Sequence, residues 1–190
     1  MRLLALFLVL FAAAGQALAQ VDAVLPKVSF SATAVEEAGA QRVRQTVHYS
    51  DGRLRIDGPT GGTHGFITTI LDLNTGTQCL LMDNHTYLVL PLDNELFRRF
   101  FAPVMAATGA KLDRQPIDGI ETTKYRFEGN GGLDAGGFYW LSDTGIMLRR
   151  DYEDGVYGEA RHHLDSLTDL KIGPQPENLF QIPAGYRLAK

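Results

Sequence analysis

Arg42-Val43-Arg44-Gln45-Thr46-Val47-His48-Tyr49-Ser50-Asp51-Gly52-Arg53-Leu54-Arg55-Ile56-Asp57 is the stretch that decides the fold of this chain. Successive side chains of a strand point to opposite sides. Val43, Gln45, Val47 and Tyr49 therefore share one face, and Arg42, Arg44, Thr46 and His48 share the other. Ser50-Asp51-Gly52 then interrupts the alternation, and Asp-Gly accepts the positive φ angles of a two-residue hairpin turn. On the return, Leu54 and Ile56 alternate with Arg53, Arg55 and Asp57. The whole reads as an antiparallel hairpin with one face turned to a core.

The same period of two extends outward in both directions. Upstream, Val28, Phe30, Ala32 and Ala34 alternate with Ser29, Ser31 and Thr33, and 36–39 reads as a turn. Downstream, a glycine-rich loop over 58–65 leads to strands over 66–73, 77–82 and 86–90, separated by Asn74-Thr75-Gly76 and Asp83-Asn84-His85. Beyond 109, strands resume around Leu112, Tyr125 and Phe127, over 138–141 and 146–152, over 156–164, and in a last segment carrying Leu167, Leu170 and Ile172. Their turns are Pro116-Ile117-Asp118-Gly119, the glycine-rich 130–137, Asp143-Thr144-Gly145 and Glu153-Asp154-Gly155. Phe180, Ile182 and Tyr186 read as a packed tail. About ten short strands at even spacing fit one antiparallel sheet that must curl.

One helical interruption breaks the pattern. Asp93 is a suitable N-cap, Leu92 and Phe97 stand at staple positions around it, and Leu96, Phe97, Phe100, Phe101 and Val104 recur at helical spacing over 93–108, with Met105 beside them. Arg98 and Arg99 fall on the opposite side, and Pro103 kinks the element or restarts it. Burying one Phe is worth about 1.5–3 kcal/mol, so this segment belongs in the hollow of the sheet. The fold class expected is mainly β (α+β): a half-barrel with a short helical segment in its concave face.

The N-terminus bears on where such a protein works. Met1-Arg2 is a positive start, 3–14 is an apolar run too short to span a bilayer, and Ala17-Leu18-Ala19 offers small residues before Gln20. This is the three-part pattern of a secretory signal. Residues 1–19 are expected to be removed after Ala19, and 20–190 to form one domain in the periplasm. The 190 residues hold 18 Lys and Arg against 22 Asp and Glu, a net −4. That balance argues against nucleic acid and against electrostatic attachment to anionic lipid. Cys79 is the single cysteine, so no intramolecular disulfide forms, and in Gln78-Cys79-Leu80-Leu81 it reads as a small apolar residue.

The order of these features resembles the lipoprotein-carrier-like superfamily of bacterial envelope half-barrels, and within it the DUF4412 group. The resemblance is carried by Val47-His48-Tyr49-Ser50-Asp51-Gly52-Arg53-Leu54-Arg55-Ile56-Asp57, Ile70-Leu71-Asp72-Leu73, Leu81-Met82-Asp83-Asn84-His85-Thr86-Tyr87 and Leu90-Pro91-Leu92. In the second half it runs through Asp118-Gly119-Ile120-Glu121-Thr122-Thr123-Lys124-Tyr125, Trp140-Leu141-Ser142-Asp143-Thr144-Gly145-Ile146-Met147-Leu148-Arg149 and Phe180-Gln181-Ile182-Pro183-Ala184-Gly185-Tyr186. It implies a concave apolar cavity and a closing role for Arg55, which matches the arginine of the lipoprotein carriers. Here that arginine is followed by Ile56 rather than an aromatic, and no Arg-Pro precedes it, which speaks against a dedicated lipoprotein shuttle.

From the alternation, Val47, Tyr49, Leu54, Ile56, Phe138 and Trp140 are expected to face Phe97, Phe100, Phe101, Val104 and Met105 across that cavity. The same residues would also make a dry core. Arg55 either bonds loop or helix backbone to hold the cavity shut or pairs with Asp57 or Glu36 at the surface. His48, His64, His85, His162 and His163 show no metal-ligand spacing. Neither glycine-rich loop has the helix and lysine of a phosphate cradle, and no serine sits in a nucleophile motif. The expectation is a non-catalytic periplasmic module binding a lipid or other apolar ligand, without cofactor or metal; the alternative is an envelope protein–protein interaction module, a sensor or scaffold.

Overall fold

The computed structural model describes residues 23–59, 66–102, 110–128, 134–154 and 161–189. The first meander comprises β1 (Phe30–Ala38), β2 (Gln41–Ser50), β3 (Arg53–Pro59), β4 (Phe66–Asp72), β5 (Thr77–Leu81) and β6 (Thr86–Pro91). After helix α1 (Asn94–Arg98) a second follows: β7 (Ala110–Ile117), β8 (Ile120–Glu128), β9 (Asp134–Ser142), β10 (Met147–Asp154) and β11 (Arg161–Ile172). A short 3₁₀ turn, Glu177–Phe180, and β12 (Arg187–Leu188) end the chain.

The meanders join where β1 pairs antiparallel with β11, giving one twelve-stranded sheet in the order β12-β6-β5-β4-β3-β2-β1-β11-β10-β9-β8-β7. Every pairing is antiparallel except that of β12 with β6. The sheet is open and curled, a half-barrel, as the alternation predicts. The β2–β3 turn has the expected geometry, with Asp51 at φ 48° and Gly52 at φ 75°. Both angles are positive, as a type I′ turn requires.

Among the described residues there are twelve strands against about ten expected. Of the strand expected over 156–164, residues 161–164 run on through 167–172 as one strand of twelve residues, β11, and 156–160 lie outside the described residues. Asp169 lies in the left-handed region (φ 55°), and the register with β1 slips between Ser31 and Thr33. A bulge locally disturbs the side-chain alternation, which is why the sequence reads there as two pieces.

The main core lies in the hollow. Phe30, Ala32, Ala34, Val47, Tyr49, Leu54, Ile56, Leu71, Ile146, Leu148 and Leu167 pack with Phe97, Phe100 and Phe101. Asp93 caps α1 as expected, its Oδ1 accepting from the Leu96 N–H at 3.2 Å. The helix is much shorter than the 93–108 span: it closes after Arg98 and a turn carries the chain to Ala102. Val104 and Met105, with Pro103, His64 and the signal segment, lie outside the described residues.

The N-terminal segment straps this arrangement. Val24 N–H donates to Ala102 C=O and Lys27 N–H to Thr144 C=O, both at 2.8 Å, while the Tyr49 hydroxyl donates to Pro26 C=O. Gly145 permits the approach: its φ is +84°, and a Cβ there would stand 2.8 Å from Leu25 C=O.

Candidate functional site

The concave face has two parts of different chemistry. The first, on β1–β4, is the apolar wall anticipated from the opening hairpin. Val47, Tyr49, Leu54 and Ile56 meet Phe97, Phe100 and Phe101 there. Phe97 stacks on Phe101 at 5.0 Å between ring centroids, and Phe101 leans on Tyr49 at 5.8 Å. Leu54 and Val47 have no exposed surface. This part is a packed interior filled by the chain's own phenylalanines.

The second part is one row of side chains crossing five strands. Pairing register sets Glu36 of β1 opposite Asp165 of β11, Asp165 opposite Arg150 of β10, Arg150 opposite Tyr139 of β9, and Tyr139 opposite Tyr125 of β8. Paired residues of adjacent strands project to the same side, so acids, arginine and tyrosines stand side by side in the hollow. The two tyrosine rings stack at 5.2 Å, nearly parallel, and Arg150 lies over Tyr152 at 3.8 Å. In the next row Tyr152 stacks on His163 at 4.9 Å. From the end of α1, Arg99 reaches Glu36 at 3.0 Å and donates to Gln45 Oε1 at 3.3 Å. The helical wheel assigns Arg99 to the solvent side with Arg98; instead it ties the phenylalanine segment to the wall, because α1 ends at Arg98 and the turn redirects the next side chain.

Asp165 is the anomaly of this row. It is 6% exposed, and neither carboxylate oxygen accepts a hydrogen bond. Burial pushes its pKa up to about 6, against the pull of Arg99 and Arg150, and the Glu36 carboxylate pushes the same way as burial. A void of about 10 Å³ lies beside it, bordered by Arg99, Phe100 and Arg150. That is the scale of a single water. Buried ionisable groups usually come fully hydrogen-bonded, so this carboxylate is costly where it stands. Burial also pushes the Tyr139 hydroxyl up, with Tyr125 adding to the effect, and that hydroxyl has no partner.

Three of the anticipated lining and closing residues sit elsewhere. Phe138 and Trp140 point to the convex face: Tyr139 and Leu141, one residue along, pack inward with Ala102 and Met147, and the strand period sends their neighbours outward. The expectation took the wrong parity because the glycine-rich approach to β9 hides its register. Arg55 is also convex, the opposite parity to Leu54 and Ile56. It makes a two-pronged pair with Asp57 at 2.6 and 2.8 Å, and its Nη1 donates to Leu179 C=O at 2.9 Å. It thus pairs with Asp57 and bonds loop backbone, both on the outer face, where it clamps the C-terminal segment. Burial raises the Asp57 pKa, but hydrogen bonds from Arg55 and Thr68 outweigh it and hold the carboxyl below its ordinary value.

The same segment is fastened by Arg53, which pairs with Glu177 at 3.1 Å and lies over the Phe180 ring, and by His48 Nδ1, 2.8 Å from Gln175 Oε1. A cleft of about 500 Å³ opens beside it, lined by Ser29, Ser50, Arg53, Gln175 and Phe180. His162 and His163 part to opposite faces, His162 bonding Asp151. Cys79 is half-buried, and burial pushes its thiol pKa up. Among the described residues no group of three His, Cys, Asp or Glu converges on one point.

The sequence singles out none of Asp165, Arg150, Arg99, Tyr139 and Tyr125 as a site residue. A parity signal exists, since His163 and Asp165 share the side of Leu167, and Arg150 that of Leu148. It becomes readable only once the sheet is known to close β1 onto β11.

No family model and no curated protein matches the chain. Solved structures do. An uncharacterized conserved protein of Thermus thermophilus aligns over 86% of this chain and 90% of its own at 11% identity, TM-score 0.57. MucB aligns over 90% of this chain and 62% of its own at 19% identity, TM-score 0.54. The MucA/MucB complex of Pseudomonas aeruginosa gives 20% identity over 90% and 60%, TM-score 0.54. The chain has the half-barrel fold of these proteins and spans about three fifths of the MucB chains. Among the described residues no helix is long and apolar enough to cross a membrane.

Proposed function

We propose that the chain is an exported, non-catalytic binding module of the bacterial envelope, of the DUF4412-like group, which meets a polypeptide partner with the concave face of its half-barrel. Residues 1–19 act as the signal and 20–190 as one periplasmic domain. The observation that carries the reading is the row Glu36–Asp165–Arg150, crossed by Arg99, in which Asp165 and Arg150 are buried and Glu36 and Arg99 half-buried. Apolar residues in those places are often at least as stabilising, and a buried carboxyl without a hydrogen-bond partner in a hollow is a candidate for a site. The row offers charges and aromatic faces, which suit a polypeptide. The fold shared with MucB, which is seen in complex with MucA, supports the same reading.

A lipid is the second reading, favoured by the apolar wall of Val47, Tyr49, Leu54 and Ile56 beneath Phe97 and Phe101. An acyl chain would have to displace those rings, gaining about 0.8 kcal/mol per buried methylene. The two readings separate by photo-crosslinking in the envelope. A benzoyl-phenylalanine at Phe127, beside the row, is expected to yield a polypeptide adduct, and one at the exposed Val89 of β6, toward the other end of the sheet, none. A lipid-mass adduct at Phe127 would favour the second reading. Equal labelling at both positions, or none, overturns both.

A further inference from the structure

The convex face carries its own ladder. Lys124 of β8 lies opposite Trp140 of β9, and Trp140 opposite Arg149 of β10. The same line continues through Ser166 and Val35 to Arg44 of β2. Lys124 Nζ stands 4.0 Å from the Phe138 ring centroid and 4.8 Å from that of Trp140, with the Arg149 guanidinium 5.6 Å from Trp140. The indole is fixed in turn, its Nε1–H donating to Gln115 Oε1 at 2.9 Å. Arg126, two residues from Lys124 on the same face, is exposed.

Among the described residues no carboxylate pairs with Lys124, Arg126, Arg149 or Arg44, although the chain holds more acids than bases and neighbouring arginines are neutralised, Arg42 by Glu37 and Arg114 by Asp143. Arg149 Nε is buried and has no acceptor. Cations held over aromatic rings are pre-positioned, so little side-chain freedom is lost when an anion arrives.

We propose that this face docks an acidic, extended polypeptide segment running across the strands, its carboxylates answering Lys124, Arg149 and Arg44 in turn. Neighbouring strands lie about 4.8 Å apart and an extended chain advances about 3.3 Å per residue. Two strand spacings separate Lys124 from Arg149, so the matching acids fall about three residues apart. Three spacings separate Arg149 from Arg44, so the next acid comes about four residues on. A flexible segment follows the outward curve of the sheet, whereas a flat anionic bilayer meets such a surface only along one ridge. Trp140, at 5% exposed, has no surface left to insert into lipid.

The test uses the mature full-length chain and a fluorescein-labelled peptide with glutamates three and then four residues apart. Controls are a peptide of equal composition with its glutamates contiguous, and phosphatidylglycerol vesicles. The spaced peptide is expected to bind at low salt and to weaken as salt screens the charges. The Lys124→Gln/Arg149→Gln double variant is expected to lose about tenfold in affinity, and the exposed, unstacked Arg126→Gln about threefold with no change in thermal unfolding. Failure of the spaced peptide to bind at low salt, equal binding of both peptides, affinity unchanged in both variants, or displacement of the peptide by vesicles would each overturn the proposal.

Discussion

The two parts of the concave face are built on the same sheet by the same rule and end with opposite chemistry. On β1–β4 the inward positions are Ala32, Ala34, Val47, Tyr49, Leu54 and Ile56, and the phenylalanine segment seals them. On β8–β11 the inward positions include Tyr125, Tyr139, Arg150 and Asp165, and no hydrogen bond satisfies the buried carboxylate. One part is kept for stability. The other retains buried polar groups that burial penalises, and on these the proposed contact with a partner rests.

The comparison breaks most directly at Phe101. Phe101→Ala is expected to cost about 3–5 kcal/mol, since the ring is 1% exposed and stacked on Phe97. Tyr125→Ala, in the other part, should cost less than half of that. Urea unfolding of the two variants checks the ranking, and equal losses would mean a single undivided core.

Asp165 gives the next effect, and its sign is unusual. Its folded pKa of about 6 lies above the ordinary 3.8, so the folded chain takes up a proton between those values. Stability from this group therefore rises as pH falls from 7 to 5, by about 1 kcal/mol, and is lost as pH rises through 6. Asp165→Asn should remove that rise. Asp57 acts oppositely: its pKa is lowered, so its contribution is present above 3.8 and is lost as the solution is made more acid than that. Thermal unfolding across pH, in wild type and Asp165→Asn, reads both limbs. A wild-type curve flat between pH 5 and 7 would remove the distinction between the two parts.

An effect of similar size is expected on the outer face. Arg55→Ala removes the clamp on Leu179 and leaves Asp57 without its guanidinium, at about 1–2 kcal/mol. Amide exchange should speed up over 173–180 while the amides of α1 and β2 keep their protection. Faster exchange at Phe97–Phe101 instead would show that the arginine does act on the hollow.

Legibility followed the chemistry of each residue. The opening hairpin could be read because Val47, Tyr49, Leu54 and Ile56 are apolar where they are buried, and Asp51-Gly52 names its own turn. Asp93 could be read as a cap for the same local reason. Phe138 and Trp140 misled because β9 is apolar on both faces, so hydropathy leaves its parity open. Arg99 misled because the helix stops early. Asp165 stayed invisible because a buried carboxylate looks, in sequence, like any acidic residue on a strand.

By itself, then, the sequence determined what is local: the period of two, the turns, the cap, and an apolar helical segment that must be covered. Only the tertiary structure decided which residues meet, since that depends on β1 pairing with β11 across more than a hundred residues and on one bulge setting the parity of the residues beyond it. Long-range register is a collective property of the closed sheet, and no short window of sequence contains it.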